Sequence, residues 1–120
     1  MKPVLIFEND IDTLAIVSEV FEYDGFKPIS FKTKIPLSKV LEINPTLILI
    51  DNLLDNGLGS DLCLEIKSGE LTKHYPVIMF SANFKVEQIA AESCADAFLA
   101  KPFDLYDLLQ LVNELALKPV

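Results

Sequence analysis

The sequence predicts an α/β fold in which five strands alternate with five helices around a parallel sheet. Two observations carry the prediction. Four apolar runs, Val4–Phe7, Leu47–Ile50, Val77–Phe80 and Ala97–Ala100, are flanked by turn-formers and separated by stretches of helical period, the signature of buried parallel strands. Each run also ends in a residue that can do chemistry: Glu8, Asp51, Ser81 and Lys101. Parallel strands finish at one edge of their sheet, and ligands bind in the crevice beyond those ends. A glutamate, an aspartate, a hydroxyl and a lysine are therefore expected to meet.

The elements follow in order. After the first strand, Ile11, Leu14, Ala15, Val17, Val20 and Phe21 recur at helical spacing, with Asp10 or Asp12 placed to cap the start. Asp24-Gly25 closes that helix. Phe26–Phe31 reads as a short second strand, and Pro28 assigns it to a sheet edge. Pro36 suits the first turn of a second helix running through Ile43, which Asn44-Pro45 ends. The third strand, Leu47–Ile50, is followed by a polar loop, Asp55-Asn56-Gly57, and a helix over Ser60–Lys67. The fourth strand, Val77–Phe80, leads to a weaker helix over Val86–Ser93. The fifth, Ala97–Ala100, leads to an amphipathic helix over Asp104–Leu117. The result is a (βα)5 chain, whose right-handed crossovers make a three-layer sandwich. At 120 residues it is one domain, 1–120, and too short for an eight-fold barrel.

Composition narrows the function. Net charge is −8 and all ten basic residues are lysines, which argues against direct nucleic-acid binding, where a basic face and arginine readout dominate. No run approaches the roughly 18 apolar residues that span a bilayer. Met1-Lys2-Pro3 opens onto a strand with no small-residue cleavage site, so no membrane association and a cytoplasmic location are expected. Cys63 and Cys94 match no metal spacing and are expected to stay reduced. His74, the only histidine, sits beside Tyr75-Pro76 and reads as a loop residue.

The four strand ends have a joint chemistry. A carboxylate at the end of the middle strand, Asp51, can act as nucleophile toward a phosphoryl group. That step wants a divalent cation near Glu8 to neutralise phosphoryl oxygens, with Lys101 and Ser81 holding the remaining ones. Taken singly, each residue also has an ordinary structural role: Asp51 as a turn cap, Glu8 as an exposed acid, Ser81 as a satisfied hydroxyl, Lys101 as a solvated charge. Four suitable types at four strand ends favour the joint reading.

The motifs Val4-Leu5-Ile6-Phe7-Glu8-Asn9-Asp10, Pro45–Asp51 with Gly59 eight residues on, Pro76–Ala82 and Ala95–Phe103 resemble the receiver domain of two-component response regulators, related to the bacterial chemotaxis regulator. The resemblance covers the whole chain. It implies a flavodoxin-like doubly wound sheet of order 2-1-3-4-5 and a signalling module that is an enzyme at most toward its own aspartyl phosphate. Carried over residue by residue, it implies that Asp51 is the phosphoacceptor and that Ser81 and Lys101 bind the phosphoryl group. Mg2+ would be held by Glu8 through water, Asn9, Asp51 and the Leu53 backbone carbonyl. Ser81 and Phe98 would form the switch, Leu53 and Asn83 would tune hydrolysis, and the Lys101–Pro102 bond would be cis. The implied partners are a sensor histidine kinase or phosphotransfer protein and an unidentified downstream protein. The latter would meet the face of the fourth helix, fifth strand and fifth helix, with Phe84, Val86, Tyr106 and Leu109 in or near it.

Departures from the family pattern matter as much. Asn9 stands where a second acid is usual. With Glu8 and Asp51 ionised and Lys101 protonated, the formal sum at the pocket is −1 rather than −2, so weakened Mg2+ binding is expected. Asp55 replaces a common proline, which frees φ and predicts a more mobile loop; as a residue it reads as a solvated loop acid. Leu53 is expected to shield the acyl phosphate from water and slow self-dephosphorylation. In the family the resemblance names, a DNA-binding subfamily dimerises through the face of the fourth helix, fifth strand and fifth helix by intermolecular pairs that include arginine. The absence of arginine here argues against that mode. The alternative reading is a pseudo-receiver, a protein-binding module that keeps the fold and works without phosphorylation. A flavin-binding module fits less well, because the first loop is acidic. A phosphatase would want a second acid just after Asp51, where Asn52-Leu53 stands.

Overall fold

Each apolar run does form a strand, and the five pair in parallel in one sheet. The computed structural model describes residues 2–116. Strand β1 (Lys2–Phe7) leads to helix α1 (Ile11–Tyr23), and β2 (Phe26–Phe31) to α2 (Leu37–Ile43). After β3 (Leu47–Asp51) come two two-residue strands, β4 (Leu53–Leu54) and β5 (Gly57–Leu58), then α3 (Gly59–Ser68). The chain continues through β6 (Val77–Ser81), α4 (Val86–Glu92), β7 (Ala97–Ala100) and α5 (Leu105–Ala116). Leu117, the expected last residue of α5, lies outside the described residues, as do Met1 and 118–120.

The sheet order is β2-β1-β3-β6-β7, the expected 2-1-3-4-5 once the separate β4–β5 hairpin is set aside. Pro28 sits on the edge strand β2, where its missing N–H costs no ladder bond. Alternate strand residues go to opposite faces and build two cores. Leu5, Phe7, Ile48, Ile50, Val77 and Met79 pack with Val40, Leu62, Ile66 and Val86 on one side. Val4, Ile6, Leu47, Leu49, Ile78 and Phe80 pack with Val17, Phe21, Leu108 and Val112 on the other. That division makes the three layers. No helix of the described residues is long and apolar enough to cross a membrane.

Local chemistry sets the ends. Asp10, not Asp12, caps α1: its Oδ2 accepts from Thr13 N at 3.0 Å. The Thr13 hydroxyl and then its amide, both donating to Asp10, hold that carboxyl below its ordinary range. Pro36 does not open the first turn of α2 as expected; with ψ at 150° it is extended and precedes the helix as its N-cap. Asn44 then ends α2 in the left-handed region at φ 50°. Both cysteines are free thiols, and burial pushes Cys63 up to about 11.

The hairpin is the element the sequence did not announce. Residues expected as a loop form β4 and β5, with Leu53 paired to Leu58 and Leu54 to Gly57. Leu54 is buried in the core beneath it. Three further bonds tie the turn to the segment after β2: Asp55 N donates to Lys32 O at 3.0 Å, Lys34 N to Asn56 Oδ1 at 2.7 Å, and Asn56 Nδ2 to Lys34 O at 3.4 Å. Asp55, which stands where a proline is common, thus sits in a turn tied by these three bonds.

Candidate functional site

Strand register brings the four strand ends together. Phe7 pairs with Ile50, so Glu8 and Asp51 follow side by side where the chain order of the sheet reverses. Ser81 pairs with Ala100, which places Lys101 next along the same edge. The Lys101 amide donates to Ser81 O at 2.9 Å and extends that ladder by one bond. The Lys101–Pro102 peptide is cis.

Lys101 is the pivot of the pocket. Its ammonium bonds Glu8 Oε1, stands 3.4 Å from Asp51 Oδ2, and lies 4.5 Å from the centre of the Phe80 ring. One cation thus bridges two carboxylates and rests on an aromatic face. Glu8 is fully buried, and its Oε2 accepts from Asn9 N at 3.1 Å. Burial first, and then the facing Asp51 carboxylate, push the Glu8 carboxyl up to about 7, while Lys101 pulls it down. Asp51 is 8% exposed, enough for a small ligand to reach the carboxylate from the solvent side.

The wall beside Asp51 is made by α3. Gly59 leaves no room for a side chain: an added Cβ would lie 2.0 Å from Asp51 O and 2.5 Å from Ile50 Cγ2. The same helix start is held by buried Asn52, whose backbone oxygen accepts from Gly59 N at 2.7 Å and whose Oδ1 accepts from Ser60 N at 3.1 Å. No side chain of the preceding Leu58 caps α3; Asn52 does that work from just beyond the end of β3. Sequence reasoning quoted Gly59 without a role and passed over Asn52. An Asn eight residues before the amide that it caps, Ser60 N, carries no local capping signal.

The other expected residues are placed as follows. Ser81 is buried at the end of β6, and its Oγ accepts from Asn83 N at 3.1 Å, so the hydroxyl is engaged within its own loop. Asn83 Oδ1 in turn accepts from Lys85 N at 2.8 Å. Leu53 projects into solvent on β4 at the rim. Asn9 follows Glu8, and its Nδ2 donates to Asp55 Oδ1 at 3.2 Å. Asp55, read from sequence as a solvated acid, is therefore a neighbour of the first-strand loop.

On the flank, Phe98 is 41% exposed on β7, and Phe84, in the loop before α4, and Tyr106, on α5, are exposed as well. Val86 belongs instead to the buried core: it is the first residue of α4 and turns toward the sheet. Leu109 is half-buried. His74 lies exposed in a turn, its ring 4.2 Å from that of Tyr75.

The donor set has a clear chemical character. Two carboxylates, an amide and adjacent backbone carbonyls are hard oxygen donors, which suit Mg2+ and not a soft metal. Among the described residues no group of three His, Cys, Asp or Glu side chains stands close enough to hold a metal alone, in keeping with an amide at position 9.

Comparison with known proteins agrees with this geometry. A family model described as the response regulator receiver domain matches residues 4–113. The phosphate regulon transcriptional regulatory protein PhoB of Escherichia coli is 28% identical over 115 residues, covering 93% of this chain and 50% of PhoB. The chain thus spans about half the length of such curated relatives. A Chloroflexus aurantiacus protein assigned as a response regulator superposes with a TM-score of 0.87 at 25% identity, covering 98% of each chain. The receiver domain of the Pseudomonas aeruginosa sensor histidine kinase PA1611 superposes with a TM-score of 0.83 at 18% identity, again covering 98% of each. With the family model matched over residues 4–113 of its 120, the chain belongs to the response regulator receiver domain family.

Proposed function

We propose that this receiver domain is a phosphorylation switch in which Asp51 takes a phosphoryl group from a phosphohistidine of a sensor histidine kinase or phosphotransfer protein. The observation that carries the reading is the Lys101 ammonium poised between Glu8 and Asp51 at the sheet's carboxyl edge. An Asp51 carboxylate oxygen attacks phosphorus, the phosphorus–nitrogen bond of the donor breaks, and the mixed anhydride forms on Asp51. Lys101 stands ready to pair with a phosphoryl oxygen in place of Glu8, and its charge is then worth most in a site closed to water.

The cation site has a stated composition. Glu8, Asp51, the Leu53 backbone carbonyl and Asn9 would hold Mg2+, whose role is to neutralise phosphoryl oxygens. The PA1611 receiver was solved with a magnesium ion coordinated in its active site cleft, and the all-oxygen donors here fit such an ion. Leu53, exposed at the rim, would shield the acyl phosphate from water, with Asn83, in the loop after β6, as the second tuning position.

The switch follows from Ser81. In this structure its Oγ is bound to Asn83 N. A phosphoryl group adds close to two negative charges and three strong acceptors, which can take the Ser81 O–H that the Asn83 contact leaves free. Drawing Ser81 inward moves its loop, and the exposed Phe98 ring can follow. The changed surface of α4, β7 and α5 then meets a downstream protein. The two packings differ in their contacts with the phosphoryl group, which is what biases the equilibrium.

Incubation with acetyl phosphate and Mg2+, followed by intact mass measurement, tests the assignment. The wild type should gain one phosphoryl group and Asp51→Asn none. An unmodified wild type whose amide spectrum is also unmoved by beryllium fluoride would instead favour a phosphorylation-independent binding module.

A further inference from the structure

Asp55 is a carboxylate beside the pocket to which the phosphoryl-transfer reading gives no part, and three observations bear on it. Its Oδ1 accepts from Asn9 Nδ2 at 3.2 Å, across a separation of 46 residues. Its backbone N is bonded to Lys32 O at 3.0 Å, and its neighbour Asn56 bonds both the N–H and the C=O of Lys34. The β4–β5 hairpin on which it sits begins two residues after Asp51 and is anchored by buried Leu54. A loop acid with no duty beyond solvation would not need a hairpin and a second loop to hold it.

The chemistry of an amide gives the contact a consequence. An Asn side chain donates only from nitrogen and ligates a hard cation only through oxygen. Holding the nitrogen end on Asp55 leaves the oxygen end for the pocket and fixes which way the amide faces. Asp55 also adds one negative charge to the formal sum of −1 over Glu8, Asp51 and Lys101, which makes −2. We propose that Asp55 is a positioning residue of the cation site, holding Asn9 by its amide nitrogen and supplying from the hairpin the charge that an amide at position 9 lacks. The inference rests on the reading of this pocket as a divalent-cation site. It replaces the expectation of weakened Mg2+ binding drawn from Asn9 alone.

Direct metal binding by the unphosphorylated protein tests it without reference to activity. Mn2+ serves as the paramagnetic probe: its free signal is followed by electron paramagnetic resonance as protein is added, and Mg2+ is then used to displace it. Asp55→Ala, which removes charge and acceptor, should weaken Mn2+ binding about tenfold, the scale of one charge acting on a divalent ion through a water-like medium. Asp55→Asn, which keeps an acceptor for the Asn9 amide, should weaken it less. Moving the charge, with Asn9→Asp combined with Asp55→Asn, should restore wild-type affinity, a rescue that a purely structural role for Asp55 does not predict. Amide spectra establish that each variant is folded. Equal affinity in wild type and Asp55→Ala, or no gain from the charge move over Asp55→Asn alone, would overturn the proposal while leaving the cation site standing. A wild type that does not bind Mn2+ saturably would overturn both.

Discussion

The floor of the pocket and its rim are built in opposite ways. Glu8, Asp51, Ser81 and Lys101 stand on or just beyond strands whose register is set by two buried cores, and Glu8, Asp51 and Ser81 are themselves buried. Asn9, Leu53 and Asp55 are exposed on connecting segments, held by a handful of hydrogen bonds and a two-residue strand pair. A one-residue slip in β1 or β3 would exchange the residues that fill the two cores and carry Glu8 or Asp51 away from the other strand ends, so the floor cannot drift. The rim can change by single substitutions at little cost to folding. On the proposed function, the groups that phosphoryl transfer needs sit on the floor, and the rim would adjust metal affinity and the lifetime of the anhydride.

Removing the bridging cation should give the largest effect on stability. Lys101→Met keeps an apolar stem over Phe80 but leaves the buried Glu8 carboxylate without its counter-charge, at an expected cost of about 3 kcal/mol near pH 8. The pH dependence has a definite sign. The folded Glu8 carboxyl, raised to about 7 from 4.5, binds its proton more tightly than the unfolded chain does. Its contribution therefore favours the fold at low pH and is lost as pH rises from about 4.5 through 7. Without Lys101 the carboxyl rises further, so the variant and the wild type should converge near pH 5 and separate above pH 7. Urea unfolding with chelator present, at pH 5, 7 and 8, measures this; a constant gap across that range would break the view of the floor as a charge-balanced unit.

A smaller effect is expected where floor meets wall. Gly59→Ala puts a methyl group 2.0 Å from a backbone oxygen that cannot rotate away. The start of α3 must move, costing about 1–3 kcal/mol, and the Asp51 carboxylate moves with it. Thermal unfolding should show the loss, and phosphorylation by acetyl phosphate should slow. Unchanged labelling in a destabilised protein would show that the wall supports the fold and not the nucleophile.

At the rim the expected change is kinetic alone. Leu53→Asn replaces an exposed apolar side chain with one that can hold a water beside the anhydride. The decay of phosphorylated Asp51, followed by mass, should quicken several-fold, well below the roughly 10²–10⁴-fold of a fully positioned acid–base group, while urea unfolding stays unchanged. Equal decay rates would remove Leu53 from the tuning of lifetime.

Much of the floor was legible along the chain. Short apolar runs between helical stretches are read residue by residue, Pro28 marked the edge strand, and strand ends in a parallel sheet share an edge whatever lies between them. The rim was not legible. Two-residue strands have no periodicity to detect, so the β4–β5 hairpin passed as a polar loop. The reach of Asn52 to Ser60 has no local motif, and neither does the contact of Asn9 with Asp55. Val86 sat at a position that suited the output face equally well until the pitch of α4 turned it into the core.

The division has a physical cause. Layering, strand order and the convergence of Glu8, Asp51, Ser81 and Lys101 follow from hydrophobic period and chain direction, which are properties of neighbouring residues. The partner of each polar group at the site is a different matter. Whether Lys101 bridges Glu8 and Asp51, whether the Ser81 hydroxyl faces Asn83, and whether Asp55 meets Asn9 depend on separations of a few ångströms between residues far apart in the chain. Those distances exist only once both cores have packed and the connecting segments have closed over them.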